Sequence, residues 1–501
     1  MGRMDTGSGR GAGSGNGRGG GSGSGTGTGR GTGTGRGTGS GGDTTLSAPP
    51  ARSAVLAVGL AGSAVGLIYG YDTGALAGAL LSLKRDFGLS THMQETVTSA
   101  VGAGSVIGAV LAKSACDRLG RRRTMYAVCI GYVVFSALSG LAPDLATLLV
   151  ARLLLGVAIG GSVVAAPVFV GESSPLHLRG RLLVCYQLAT TVGIAASYFA
   201  DLGLANGGRN DWRWMLGISA LPAAVVTILV ARLPETGHWY LMHGRAEEAA
   251  VSLARTRGAE EVPAELERIR ASLAAGKPGT VRELLRPPYR RAGLFVVGLG
   301  FFVQVTGIAA IVAYSPLIYK KVGFTSDHAA IMVTAMVQLA AMLGEVLALV
   351  LVERAGRRPT LLTGITLMAV ANAVLIAAFA WGVGRGATEV IAVTGVVLFR
   401  IGYSAGFGAM VWVYASEALP ARLRSTGASL LLTVDLLTNL IITLTFLSLL
   451  TSLGGVTAFG LFLALCLAAA VFALRFAPET RGRTLDEVEG FWKRGGRWQA
   501  D

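Results

Sequence analysis

The chain has 501 residues, 52% of them hydrophobic and only 15% charged, with a mean hydropathy of +0.56. That balance excludes a soluble protein, and with it a nucleic-acid-binding domain, in spite of a net charge of +15. A hydrocarbon core about 30 Å thick takes roughly 20 apolar residues per helix, so this composition can line about a dozen spans.

Residues 1–50 hold 21 of the 72 glycines, interleaved with Ser, Thr and Arg. Such a segment buries too little apolar surface to offset the entropy of ordering it, and it reads as a disordered cytoplasmic tail. From Ala54 onward, apolar runs predict twelve spans near 54–82, 95–115, 124–142, 146–170, 181–204, 212–232, 292–319, 328–352, 360–383, 389–416, 425–450 and 455–477. They divide into a six-helix bundle over 51–233, a polar linker over 234–291, a second six-helix bundle over 292–477 and a tail over 478–501. In the linker, AEEAAVSLARTRG and the stretch from Glu260 to Gly276 read as short amphipathic helices. The four cysteines, Cys116, Cys129, Cys185 and Cys466, have neither paired nor metal-ligand spacing and read as packing residues.

Most basic residues fall on one face: Arg118 with Arg121–Arg123, Arg179 with Arg181, the linker, Arg354 with Arg357–Arg358, Arg422 with Arg424, and Arg481. Lys and Arg beside spans are retained in the cytoplasm, so a multi-pass plasma-membrane protein with both termini cytoplasmic is expected.

The chain repeats itself. Asp117-Arg-Leu-Gly-Arg-Arg follows the second span and Glu353-Arg-Ala-Gly-Arg-Arg follows the eighth, while Glu172 and Glu417 close the fourth and tenth. Duplicated six-helix halves point to a transporter with its site between them near the bilayer midplane. In each turn the Gly permits a tight reversal and the Arg offers a planar fork of donors. Asp117, Arg121, Glu353 and Arg357, with Glu172, Arg179, Glu417, Arg424 and the intramembrane Arg152, are therefore expected to form a cytoplasmic gate that clamps the halves and releases when they rock. The simpler alternative is that these arginines only enforce topology.

Asp72 lies about 27 Å along the first span from Ala54, at 1.5 Å per residue. A carboxylate at that depth must face a wet cavity, pair, or take up a proton, which makes it a functional candidate. Arg400 in the tenth span and Asp435 in the eleventh both come near mid-depth and are close enough in level to form an ion pair, and Glu345 lies in the eighth. Asp435 or Glu345 is alternatively expected to read a cationic or donor-rich group on the substrate. No Walker loop, nucleophile elbow or metal-binding helix appears, so an enzyme, a cofactor and a metal are not expected.

GYDTGALAGAL, DRLGRRRTM, RLLLGVAIGG, PVFVGESSPLHLRGRL, YQLATTVGI, PETGHWYL, VERAGRR, WVYASEALPARLRSTG and PETRGRTLDEVE, in this order, make the sequence resemble a sugar porter of the major facilitator superfamily from Ala54 to Glu489. The resemblance implies an all-α membrane protein of two pseudo-symmetric six-helix bundles working by alternating access as a monomer. It also implies that Asp72 couples transport of a sugar-like small molecule to the proton gradient; the rival reading is an acid neutralised permanently by an Arg. Substrate contacts implied by the same resemblance are Gln187, Gln304, Tyr314, Gly408 and Trp412, and Asp435 and Asn439 join the set. The seventh span departs from the family: Val303, Ala309 and Ala313 replace polar or aromatic residues, and Ala341 stands where an eighth-span asparagine is usual. That depletion keeps export of a polar or cationic metabolite, and facilitated diffusion, open beside proton symport.

Overall fold

The structure is a computed structural model that describes residues 52–174, 176–257, 260–274, 279–381 and 386–498. The glycine-rich tail lies outside the described residues, as do the side chains of Arg179 and Arg181. Among the described residues there is helix and no strand, as expected where every backbone polar group must be satisfied inside the bilayer.

Eleven helical stretches are long and apolar enough to cross a membrane. They are Val58–Phe87, Thr91–Leu119, Arg121–Leu141, Leu145–Ser173, Asp211–Ala231, Arg290–Val322, Asp327–Ala355, Arg357–Ala380, Gly386–Glu417, Arg424–Ser452 and Gly454–Phe476. The remaining long helix, Leu176–Leu204, carries Arg179 and Arg181 in its first turns and packs along the first span. Twelve spans result, in the order the sequence predicts. Their outer faces stay apolar: Val110, Leu221 and Leu343, on three different spans, are all more than 60% exposed. In water that would be an aggregation hazard, and against lipid tails it costs nothing.

Three spans are less regular than their hydropathy suggests. The sixth breaks at Ile218–Ser219 between Asp211–Gly217 and Ala220–Ala231. The seventh breaks at Thr306–Gly307, where Gly307 takes φ +113°. The tenth opens into a single π turn over Ser404–Gly408 before resuming as Ala409–Glu417. π turns insert one residue per turn and recur at functional sites.

The two halves repeat one neighbour pattern. The first span packs on the fifth as the seventh does on the eleventh, the second on the fourth as the eighth on the tenth, and the third on the fourth as the ninth on the tenth. Across the seam the second span meets the eleventh and the fifth meets the eighth, which is the same pairing under exchange of halves. This is the relation expected of a duplicated bundle.

Within a half, small residues let backbones touch. A methyl at Gly70 would sit 1.9 Å from Thr190 O on the fifth span, and one at Gly104 would sit 2.0 Å from Leu153 O on the fourth. Such contacts are the way membrane helices associate without a hydrophobic drive between them. Across the seam the fit is looser: a methyl at Gly102 would meet Leu440 at 3.4 Å, ordinary van der Waals contact.

The linker carries Gly237–Met242, Ala246–Ala254, Val262–Ala274 and Val281–Leu284. Its end ties to the tail helix Leu485–Lys493 through Tyr289 Oη, which donates to Glu489 at 2.8 Å. Lys493 and then Tyr289 hold the Glu489 carboxyl below its ordinary range. The end of the bundle carrying this linker is called the linker end below, and the opposite one the far end.

Candidate substrate and proton site

Asp72 and Arg152 meet in the first half. Arg152 Nη1 donates to Asp72 Oδ1 at 2.7 Å and Nη2 to Oδ2 at 3.2 Å, and both side chains are 2% exposed or less. A bidentate fork onto a carboxylate is the strongest geometry available to this pair, and burial removes the water that would screen it. Arg152 thus stands apart from the arginine cluster with which its charge had grouped it. It lies only seven residues into a span that begins at the far end, whereas Glu172 lies 20 residues further on. At 1.5 Å per residue the two are roughly 30 Å apart, too far for one gate.

Toward the seam, Tyr69 sits one turn before Asp72 and within electrostatic reach of both Asp72 and Asp435. Asp435 Oδ1 accepts from Gln304 Nε2 at 2.9 Å, and Gln304 Oε1 accepts from Asn439 Nδ2 at 3.2 Å. Across the seam, Trp412 Nε1 donates to Gln187 Oε1 at 3.0 Å, with Trp412 38% exposed. Gly408, at the close of the π turn one helical turn before it, is buried against Tyr403, where a methyl would meet the ring and the carbonyl of Tyr403 at 3.3 Å. Thr191 on the fifth span donates to Glu345 Oε1 on the eighth at 2.5 Å, and Gln338 Nε2 donates to Thr191 O at 3.3 Å. Gln187 with Trp412 and Thr191 with Glu345 thus join the halves, and Gln304 holds Asp435 and Asn439 within the second half; the seam region these contacts mark is called the chamber below.

Two expected arrangements differ. Arg400 and Asp435 do not pair: the Arg400 guanidinium donates to Gln338 Oε1, and Asp435 is held by Gln304. Each found a nearer amide, because depth along two helices fixes level but not rotation. Tyr314 is fully buried, its hydroxyl donating to Thr443 O at 2.5 Å and its ring against Phe446. It joins the seventh span to the eleventh and does not face the chamber.

The linker end holds two copies of one cluster. In the first half Arg121 bridges Asp117 at 3.3 Å and Glu172 at 3.1 Å, and Thr236 Oγ1 donates to Glu172 at 2.7 Å. Glu235 accepts from the backbone N–H of Arg122 with both oxygens, at 3.1 Å. In the second half Arg357 bridges Glu417 at 3.0 Å, Thr480 donates to Glu417 at 2.7 Å, and Glu479 accepts from the N–H groups of Arg357 and Arg358. Glu235 and Glu479 thus cap the third and ninth spans, meeting the positive ends of those helices. Gly120 at φ +105° and Gly356 at φ +95° are required there, since a methyl on either would sit within 2.7 Å of the capping carboxylate. These caps were missed from the sequence, although Pro-Glu-Thr recurs after the sixth and twelfth spans.

Among the described residues no ion pair joins the two clusters. Glu353 is exposed, and Arg424 keeps Nε and Nη2 buried without a partner. At the far end the seam is closed: Glu95 accepts from Ser448 N and Oγ, both at 2.6 Å, and Arg85 bridges Asp327 at 3.2 Å. A cavity of about 630 Å³ there is lined by Lys84, Arg85, Lys320 and Asp327 and lies apart from the chamber.

A family model for sugar (and other) transporters matches residues 58–492. The chain is 32% identical to the galactose-proton symporter of Escherichia coli K12, over 85% of this chain and 91% of that one. It is 33% identical to the arabinose-proton symporter of the same strain, over 89% and 95%. To polyol transporter 5 of Arabidopsis thaliana it is 32% identical, over 90% and 88%. The fold is similar to the partially occluded inward-open xylose transporter XylE of E. coli, with a TM-score of 0.76 and 23% identity, over 86% of this chain and all of that one. The chain belongs to the sugar porter family of the major facilitator superfamily.

Proposed function

We propose that this protein is a plasma-membrane symporter that uses the proton gradient to accumulate a sugar, polyol or related hydroxylated metabolite by alternating access. The observation that carries the reading is the buried Asp72–Arg152 pair, one turn from Tyr69 and next to the chamber. A proton on Asp72 cancels the charge that binds Arg152 and frees the guanidinium, so loading is coupled to a rearrangement of the first span against the fourth. Release of that proton on the other side restores the pair.

The linker end, both termini and the arginine clusters lie in the cytoplasm on this reading, because basic residues concentrate there. The conformation is inward-facing, with the far seam shut by Glu95 and Ser448. When the linker end closes, the spare donors of Arg424, with Arg179, find acids across the seam and complete the gate. The 51–233 and 292–477 bundles rock as units around the 234–291 linker, and one chain suffices. Gln187, Gln304, Asn439 and Trp412 hold the ring, the amides because they both give and accept hydrogen bonds and the indole by packing on the C–H face.

The test is transport in vesicles containing purified protein. Proton-driven accumulation of a sugar or polyol, accompanied by alkalinisation outside, is expected of the wild type. Asp72→Asn is expected to lose accumulation and keep exchange of substrate across the membrane. Intact accumulation by Asp72→Asn would overturn the mechanism.

A further inference from the structure

The chemistry of the chamber narrows the substrate further, an inference that rests on the sugar-transport reading above. A sugar hydroxyl both donates and accepts, and amide side chains match it because they do the same, whereas a carboxylate only accepts. This chamber has exchanged one kind for the other. Val303, Ala309 and Ala341 are buried and Ala313, like them, is apolar, so none offers a side-chain group to a hydroxyl, while Asp435 and Glu345 add two carboxylates.

The two acids lie near one another: Tyr403 is within electrostatic reach of both. Neither is fully occupied by the protein. Among the described residues the hydrogen-bond donor to Asp435 is Gln304, on Oδ1 alone. Glu345 receives Thr191 on Oε1 and lies beside Gln187. Arg400 is recessed, 7% exposed, with its guanidinium turned onto the Gln338 carbonyl; it is within electrostatic reach of Glu345 but, among the described residues, makes no salt bridge to either acid. The chamber thus presents more accepting charge than the protein supplies donors for. The complement is a group that donates without accepting, and an ammonium does that with three N–H bonds.

We propose that the chamber selects a polyhydroxylated substrate bearing a protonated amine, an amino sugar or an aminocyclitol, with Asp435 receiving the ammonium and Glu345 as the second acceptor. Gln187, Gln304 and Trp412 retain the ring, and the extra charge decides among rings.

The full chain reconstituted in vesicles tests this by counterflow with glucosamine, galactosamine and an aminocyclitol against glucose, galactose and inositol, with N-acetylglucosamine as the uncharged control. Wild type should take the amines at about tenfold lower half-saturation than their neutral parents, the scale of one charge-assisted hydrogen bond. Asp435→Asn should bring that ratio near unity, and Glu345→Gln should reduce it less. Equal or better handling of neutral sugars by the wild type would overturn the proposal and leave sugar symport standing. An unchanged ratio in Asp435→Asn would overturn it too, as would loss of proton coupling in that variant with the preference intact, since Asp435 would then be a proton site. Movement of neither class would sink the sugar-transport reading along with it. Should the variants fold poorly, thermal shift of the wild type decides alone: glucosamine must stabilise it more than glucose does.

Discussion

The two halves handle buried charge in opposite ways. In the first, the fourth-span Arg152 finds the first-span Asp72 and the two close on each other at 2.7 Å. In the second, the tenth-span Arg400 and the eleventh-span Asp435 each settle on an amide, Gln338 and Gln304. A closed pair is neutral as seen from a distance, so its chemistry lies in being opened, and in the mechanism proposed above a proton is the reagent that opens it. Separated charges keep their fields and act on whatever enters the space between the bundles. Duplication supplied one scaffold, and on the proposed mechanism the placement of acids makes one half respond to protons and the other to ligand.

That contrast can be broken by mutation. The largest effect is expected at the pair. Asp72→Asn should abolish concentrative uptake, whereas Asp435→Asn should leave the accumulation ratio for a neutral sugar measurable; the reverse outcome would exchange the roles of the two halves. Stability should follow the same asymmetry. Arg152→Ala strands a buried carboxylate and should cost about 3–5 kcal/mol in denaturant unfolding in micelles, with the double variant Asp72→Asn/Arg152→Gln costing less than that single change. Arg400→Ala, which removes a cation bonded to a neutral amide, should cost about 1.5–3 kcal/mol. Equal losses at the two arginines would mean that Arg400 has a counter-charge after all.

Smaller effects belong to the ends. Glu235→Ala and Glu479→Ala each remove a helix cap, and each should cost about 0.5–2 kcal/mol, the first more because Glu235 is only 7% exposed. Ser448→Ala removes one hydroxyl from the far seam, an effect of roughly 1 kcal/mol. Accessibility of a cysteine reporter at that end should rise about fivefold, and no rise would mean that Glu95 is not a latch.

Much of this was legible before any coordinates. Twelve apolar runs, a repeated acid-Arg-x-Gly-Arg-Arg turn and one deep aspartate carried the fold and the family resemblance, because membrane spans announce themselves by length and turns by glycine. Rotation about each helix did not follow. Depth placed Arg400 level with Asp435, yet their side chains point to different neighbours. Arg152 was grouped with the linker-end arginines by charge, and only the packing of the first span on the fourth showed its partner. Tyr314 carried a residue identity suited to a sugar and is spent on Thr443. Thr191, Gln338 and Tyr403 carry no sequence signal of their own, since an isolated polar residue in a span reads the same whether it faces lipid, a neighbour or a chamber.

Gly104 gives the acid–base pair a dependence on a third helix. Its hydrogen lies where a methyl would press to 2.0 Å of Leu153 O, the carbonyl next to Arg152. The reach of the guanidinium to Asp72 is therefore set by the thickness of a residue that touches neither. A single added carbon on the second span would press on the fourth beside Arg152, so the fit of the fork onto its carboxylate is tuned from behind by how slender that helix is.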